Sequence, residues 1–439
     1  MNEDETARRV RSAFEGDYQR PLPGFDSRMH AALQRSAVKT RHQHWALEAA
    51  AVIIALVAVS VLMFPRILDL APRLNGALPK PTPTLTTQKP ALLAAPGALQ
   101  NTKDGATWLF SLDHVYRSTD GGGHWRDASP RVVFGGPFIA YALDAQQAWI
   151  AVSSQTGQGL DGVTIYRTTD GGANWERLGS VPIAGWRLSH FAYVDSTHGW
   201  LLISLGLGQQ ADEAVSIWRT TDGGRSWAEV ARSAALQQIE VPGQLPSACQ
   251  KNGITFKDDL IGWVTAACAG GHPFLYWTSD GGHTWQAQAL PPTQNQTSQS
   301  LAGSLIVTPP TFVDESFGLL PVDLTLGPTN VRSLVIYITR DGGSTWIPST
   351  PVPEGRVMAA VATDFWIVVV PPRQVAVTHD GQHYTEIASD VDLSYIDQVS
   401  FIDAQHGLAM LPQAEGGYEL VRTADGGAHW SMVNFSVKS

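Results

Sequence analysis

The chain of 439 residues contains only two cysteines, Cys249 and Cys268. That excludes a disulfide-dense scaffold and any zinc site built from four thiolates. Charge is also scarce, at 16% Asp, Glu, Lys and Arg, against about a quarter in ordinary globular chains. Residues 1–73 hold 10 Lys/Arg and 8 Asp/Glu, whereas residues 74–439 hold 20 and 32. A main body of net charge −12 lacks the basic surplus that phosphate contacts need, so no nucleic-acid partner is expected. There is no G-x-S-x-G, no H-E-x-x-H and no P-loop. The one G-x-G-x-x-G, Gly157 to Gly162, lies between two strand patterns rather than between strand and helix. It reads as a flexible hairpin loop and not as a dinucleotide site. Nothing here calls for a cofactor or a bound metal.

Long apolar runs are also rare, with one exception. Ala49 to Phe64 is AAAVIIALVAVSVLMF, 16 residues without a charge, and extension back to Trp45 gives 20. At 1.5 Å per residue, about 20 residues cover the roughly 30 Å hydrocarbon core of a bilayer. Arg28, Arg35, Lys39 and Arg41 precede the run with no acid from Ser27 to Leu47, which keeps the N-terminus cytoplasmic. The 44 residues ahead of it and Phe64-Pro65-Arg66 after it fit an uncleaved anchor rather than a signal peptide. The expected order is a cytoplasmic leader (1–44), a transmembrane signal-anchor helix (45–64), a Pro/Thr-rich stalk (65–97) and an extracytoplasmic domain (98–439). The expected location is a bacterial cell membrane. The leader weakly resembles those of membrane-tethered regulators such as anti-sigma factors, although it lacks the Cys of the zinc-binding type.

The remainder is repetitive. STDGGGHW ends at Trp125, TTDGGANW at Trp175, TTDGGRSW at Trp227, TSDGGHTW at Trp285, TRDGGSTW at Trp346 and TADGGAHW at Trp430; a degenerate copy, THDGQHY, carries Asp380. The aspartates are Asp120, Asp170, Asp222, Asp280, Asp341, Asp380 and Asp425, spaced by 50, 52, 58, 61, 39 and 45 residues. Each box follows a pair of alternating apolar stretches with a polar turn, as in FAYVDSTHGWLLIS and VSFIDAQHGLAML. Each unit therefore reads strand–turn–strand–loop–strand–Asp turn–strand. Eleven of the 15 Trp sit in a box or in the strand pair before it, which assigns them to packing. In the box, Asp accepts backbone N–H groups and Gly-Gly supplies positive φ, with no D-x-D-x-D series to hold calcium.

These phrases resemble the Asp box of the sialidase-type BNR repeat. Their coupling to an Asp four residues before Gly-Trp or Gly-Leu is similar to the photosystem II assembly-factor family. The resemblance covers roughly residues 100–435 and implies an all-β, seven-bladed β-propeller of four-stranded blades. A count of six or eight stays open through the 39-residue interval and the longer loops. A sialidase-type site would need an arginine cluster, a Tyr nucleophile with Glu, and an acid/base Asp. The Arg-Ile-Pro phrase of that family is absent. Arg117, Arg167, Arg219 and Arg422 each lie three residues before a box Asp and mark a repeat position, whereas Arg187, Arg332, Arg356 and Arg373 are off-repeat and are the candidates for a central channel.

The histidines in boxes and turns read as solvated. Folding the 250–268 hairpin places Cys268 opposite roughly residue 252, near enough to Cys249 to favour a disulfide outside the cell. The polar insertion at 291–303 is a candidate binding loop. The preferred function is a membrane-anchored, non-enzymatic binding or assembly platform for a protein or glycan on one propeller face. A sialidase-type glycoside hydrolase and a transmembrane sensor are the alternatives.

Overall fold

The computed structural model describes residues 96–433 apart from 112–113, 132–137, 157–158, 182–184, 186, 209–211, 234–240, 270–273, 294–303, 327–330, 397 and 414–416. The apolar segment at 45–64, the leader and most of the stalk lie outside these residues. Every element among the described residues is a strand, and no helix is present there. The first strand, Pro96–Asn101, starts two residues inside the segment expected to be stalk. Its pairing with Thr107–Ser111 explains why, since Pro96 stands opposite Ser111 at the end of that ladder.

The strands form antiparallel meanders in chain order. Five four-stranded sheets span residues 96–127, 138–181, 187–232, 357–388 and 398–432, and a ten-stranded sheet spans 250–353. That larger sheet holds two successive meanders, joined where Ser304–Val307 pairs with Gly262–Ala269. Continuous apolar runs mark the second strands. In Gly199–Leu207 a run of six buried residues begins at Gly199, because this second strand of its meander is covered on both faces. The fourth strand, as in Arg126–Asp127 and Gln286–Ala287, is short and exposed, which blunts the outer edge against pairing with other chains.

Seven apolar clusters among the described residues fill the spaces between neighbouring meanders. One of them packs Leu408, Met410 and Leu420 of the last sheet on Leu99, Leu109 and Trp125 of the first. The first strands also touch in order: the Gln100 side chain donates to Ala140 O at 3.1 Å and accepts from Ala142 N at 2.8 Å. Across the ends of the chain, Leu99 N donates to Gln398 Oε1 at 2.6 Å. The meanders therefore close into a ring, the architecture of a β-propeller. Trp108, Trp149, Trp200, Trp263 and Trp366, one per second strand, are almost wholly buried. Each removes on the order of 200 Å² from water, about 5 kcal/mol by area.

Cys249 and Cys268 are joined in a disulfide with Cα atoms 4.9 Å apart. A bulge between Lys251 and Gly253 shifts the register, so Gln250 faces Ala267 and the cysteines come opposite each other. The bulge supplies one of the three positions by which the sequence-based register is off, and the other two come from a turn centred on Asp259 rather than Leu260.

Candidate functional site

In a four-stranded meander the turn between strands one and two and the turn between strands three and four lie at the same end. All the Asp boxes and the Asp turns, such as Asp195–His198, therefore share one end of the ring. The other end carries the loops between strands two and three and the crossings from sheet to sheet.

Each box is closed by its own atoms. In the first, buried Ser118 donates to Asp120 Oδ1 at 2.9 Å and accepts from Gly122 N at 2.9 Å. Asp120 Oδ1 also accepts from His124 N at 2.8 Å, and Oδ2 faces His124 Nδ1 at 2.5 Å. The same network recurs at Asp170 with Asn174, Asp222 with Ser226, Asp280 with Thr284, Asp341 with Thr345 and Asp425 with His429. In the shorter sixth box, Asp380 accepts from the backbone N–H of Gln382 and His383. Burial pushes Asp120 up, but the backbone N–H and ring of His124 outweigh it and hold the carboxyl at about 2. The backbone N–H of His429, then its ring, hold Asp425 at about 2, and the carboxylate in turn raises His429.

The box tryptophans pack inward. Trp125, Trp227, Trp285 and Trp430 donate Nε1 to the second Gly carbonyl of their own boxes at 2.9–3.2 Å. Trp175 instead donates to Ala128 O of the preceding sheet at 2.8 Å. Trp346 is buried in one cluster with Trp263 and Val335.

The repeat-position arginines bridge sheets. Arg117, Arg167 and Arg219 stand opposite Trp108, Trp149 and Trp200 in the ladders. Their guanidinium carbons lie 5.7, 4.9 and 5.5 Å from those rings. Each reaches the first glycine of the next box: a Cβ at Gly171 or Gly223 would collide with the guanidinium of Arg117 or Arg167. Arg219 Nη2 also donates to Asp259 O of the next sheet at 2.9 Å. The tryptophans cross too, with Trp149 Nε1 on Gly223 O at 2.9 Å and Trp200 Nε1 on Gly281 O at 3.0 Å.

The junction of the last and first sheets is built otherwise. Arg422 holds the same ladder position, but Leu408 stands opposite it. Leucine gives no ring to stack on and no N–H to offer Gly121. Ile402 occupies the seat beside Gly121, its Cδ1 3.3 Å from where a Cβ would be. Arg422 is exposed and lines an open cavity of about 800 Å³ with Asp120, Asp403, His406, Asp425 and His429. We call this junction the seam. Sequence reading groups Arg422 with the other three, and the only signal of its difference is Leu408 in place of Trp.

The off-repeat arginines all fall at the end opposite the boxes, on three sheets. Arg187 Nη2 donates to Glu213 Oε1 at 3.1 Å, and Arg332 forks onto Asp323, with Nε at 2.9 Å. Arg373 Nη1 donates to Asp390 O at 2.6 Å, and Arg356 is exposed. Sequence reading misses Lys251 altogether. Its ammonium is buried beside the disulfide and donates to the carbonyls of Glu213, Pro246 and Ala248 at 2.7–2.9 Å. Burial lowers it to about 7, opposed by Glu213 and Asp212.

No family model matches this chain. No curated protein matches it either. Among solved structures, it is similar to "YCF48 bound to D1 peptide" at 16% identity and TM-score 0.39, over 68% of this chain and 85% of that one. It is similar to YCF48 from Cyanidioschyzon merolae at 15% identity and TM-score 0.43, over 67% and 84%. The α-L-arabinofuranosidase Arb93A from Fusarium graminearum follows at 13% identity and TM-score 0.40, over 65% and 92%. At this level of likeness, function rests on the chain's own residues.

Proposed function

We propose that this protein is a binding platform: a seven-bladed propeller tethered to a bacterial membrane through residues 45–64, with the seam as its ligand-binding element. The count of seven is supported by seven apolar clusters and by treating the ten-stranded sheet as two blades zipped by one strand contact. The tether is supported by the uncharged run Ala49 to Phe64 and its basic flank.

One observation carries the platform reading. At the three junctions between 96 and 287 the arginine is engaged by the next sheet, whereas Arg422 faces an open cavity. An exposed guanidinium with a free fork beside shaped polar walls is a recognition element rather than a packing element. The hydrolase alternative asks Arg187 and Arg332 to share an anion, yet each holds a carboxylate of its own sheet.

Full-length protein and Arg422→Ala, solubilised in mild detergent, should differ in capture of a discrete component from cell-envelope fractions. Equal capture by the two would remove the seam from the reading. In the same cells, the full chain should resist alkaline carbonate extraction and a chain lacking 45–64 should not.

A further inference from the structure

The residue that closes each box over its aspartate is Asn174, Ser226, Thr284 and Thr345 in the second to fifth boxes. In the shorter sixth box it is His383, and in the two boxes that meet at the seam it is His124 and His429. His406, in the turn of the last sheet, adds a third ring. Each turns Nδ1 to a carboxylate, at 2.5 Å to Asp120, 2.6 Å to Asp425 and 2.8 Å to Asp403. A carboxylate acceptor keeps a proton on Nδ1, which leaves Nε2 as the ring atom open to a ligand.

The carboxylates themselves are occupied. Asp120 and Asp425 each accept from a hydroxyl, a backbone N–H and a ring, and Asp403 accepts from Gln405 N and His406 N. The capacity left open at the seam is therefore the imidazole Nε2 atoms and one guanidinium donor, beside the apolar side chain of Ile402. Neighbouring hydroxyls on a sugar ring satisfy both, because each hydroxyl donates once and also accepts. Three carboxylates against one guanidinium disfavour an anionic ligand. A metal ion is also disfavoured, since no three His, Cys, Asp or Glu among the described residues converge on one point.

We propose that the seam binds a neutral saccharide, with Arg422 donating to two adjacent hydroxyls and the Nε2 atoms of His406 and His429 pairing with others. The proposal rests on the platform reading and names its ligand class. A cavity of about 800 Å³ has room for a short oligosaccharide.

The test is an array of immobilised gluco-, manno-, xylo- and galacto-oligosaccharides probed with the labelled full-length protein in detergent and EDTA. Retention is expected on at least one neutral series, weakened at least tenfold in Arg422→Ala and in His406→Gln/His429→Gln. Arg356→Ala, at the opposite end of the ring, should bind as the parent does. Thermal melting of each variant separates a lost contact from a lost fold. Retention unaltered by both seam variants, retention only on sialylated or sulfated controls, or retention only after zinc replaces EDTA would each overturn the proposal. A blank array overturns it too. If Arg422→Ala still abolishes envelope capture in that case, the platform survives without the saccharide; if capture is also absent, both fall.

Discussion

The junction between the third sheet and the 250–287 meander and the seam between the last and first sheets perform the same mechanical task with different residues. At the former, Trp200 stacks on Phe256 with centroids 3.6 Å apart, and Arg219 covers the indole and reaches a carbonyl across the gap. At the latter, Leu408 and Ile402 pack without any such bridge and Arg422 stays exposed. Both close on a buried apolar cluster. The polar staple is therefore an addition to ring closure and not its cause, and where it is missing the same arginine is left exposed.

The widest gap should come from the rings. Trp200→Ala should lower stability by about 3–5 kcal/mol and Leu408→Ala by about 2–3, read by chemical denaturation. Equal losses would mean that Trp200 contributes no more than a generic apolar side chain. Next come the arginines. Arg219, with its side chain 14% exposed, should cost about 2 kcal/mol on truncation to Ala. Arg422→Ala should stay within about 0.5 kcal/mol of the parent. A larger loss at Arg422 would make it a staple after all.

Converting one junction into the other is a sharper test. Leu408→Trp should give Arg422 a ring to cover and abolish ligand retention, with a stability change under about 1.5 kcal/mol. A crystal structure of that variant with Arg422 still exposed would contradict the ladder-partner account.

The smallest effect is the pH response common to both regions. At the Trp200 junction burial pushes Asp222 and Asp280 up, but the side chains and backbone N–H groups of Ser226 and Thr284 outweigh it and hold them low. Asp120 and Asp425 fold with carboxyls near 2 against an ordinary 3.8. Their contribution is fully present above about pH 4 and is lost as pH falls through 2. The melting temperature should decline over that window, and Asp120→Asn with Asp425→Asn should flatten part of the decline.

The fold is largely legible in the sequence because its signals are local. The box binds within five residues, and the Trp-bearing second strand announces itself by the apolar run around Trp149 or Trp200. The seam is not legible, because Leu408 acquires meaning only once it is known to face Arg422 and once Ile402 is known to meet Gly121 from the far end of the chain. Local pattern does not carry that closure. The pairing of Cys249 with Cys268 can be expected even from a register that ignores the bulge at Lys251. Lys251 itself gives no warning, since a lysine in a polar-alternating strand reads as solvent-facing until its carbonyl partners are seen. The pairing of Arg187 with Glu213 and of Arg332 with Asp323 is likewise set by which strands lie together in one sheet, which the sequence spacing does not announce.

Every four-stranded meander is contiguous in sequence, and among the described residues no strand of the first sheet is borrowed from the end of the chain. The ring is thus held shut at the seam without strand exchange. A circular permutant opened at any inter-sheet crossing would keep every ladder intact, and gain or loss of one repeat by recombination would resize the ring without rethreading it. Such a chain can change diameter in a single genetic step, with the seam travelling to whichever two repeats then lie at its ends.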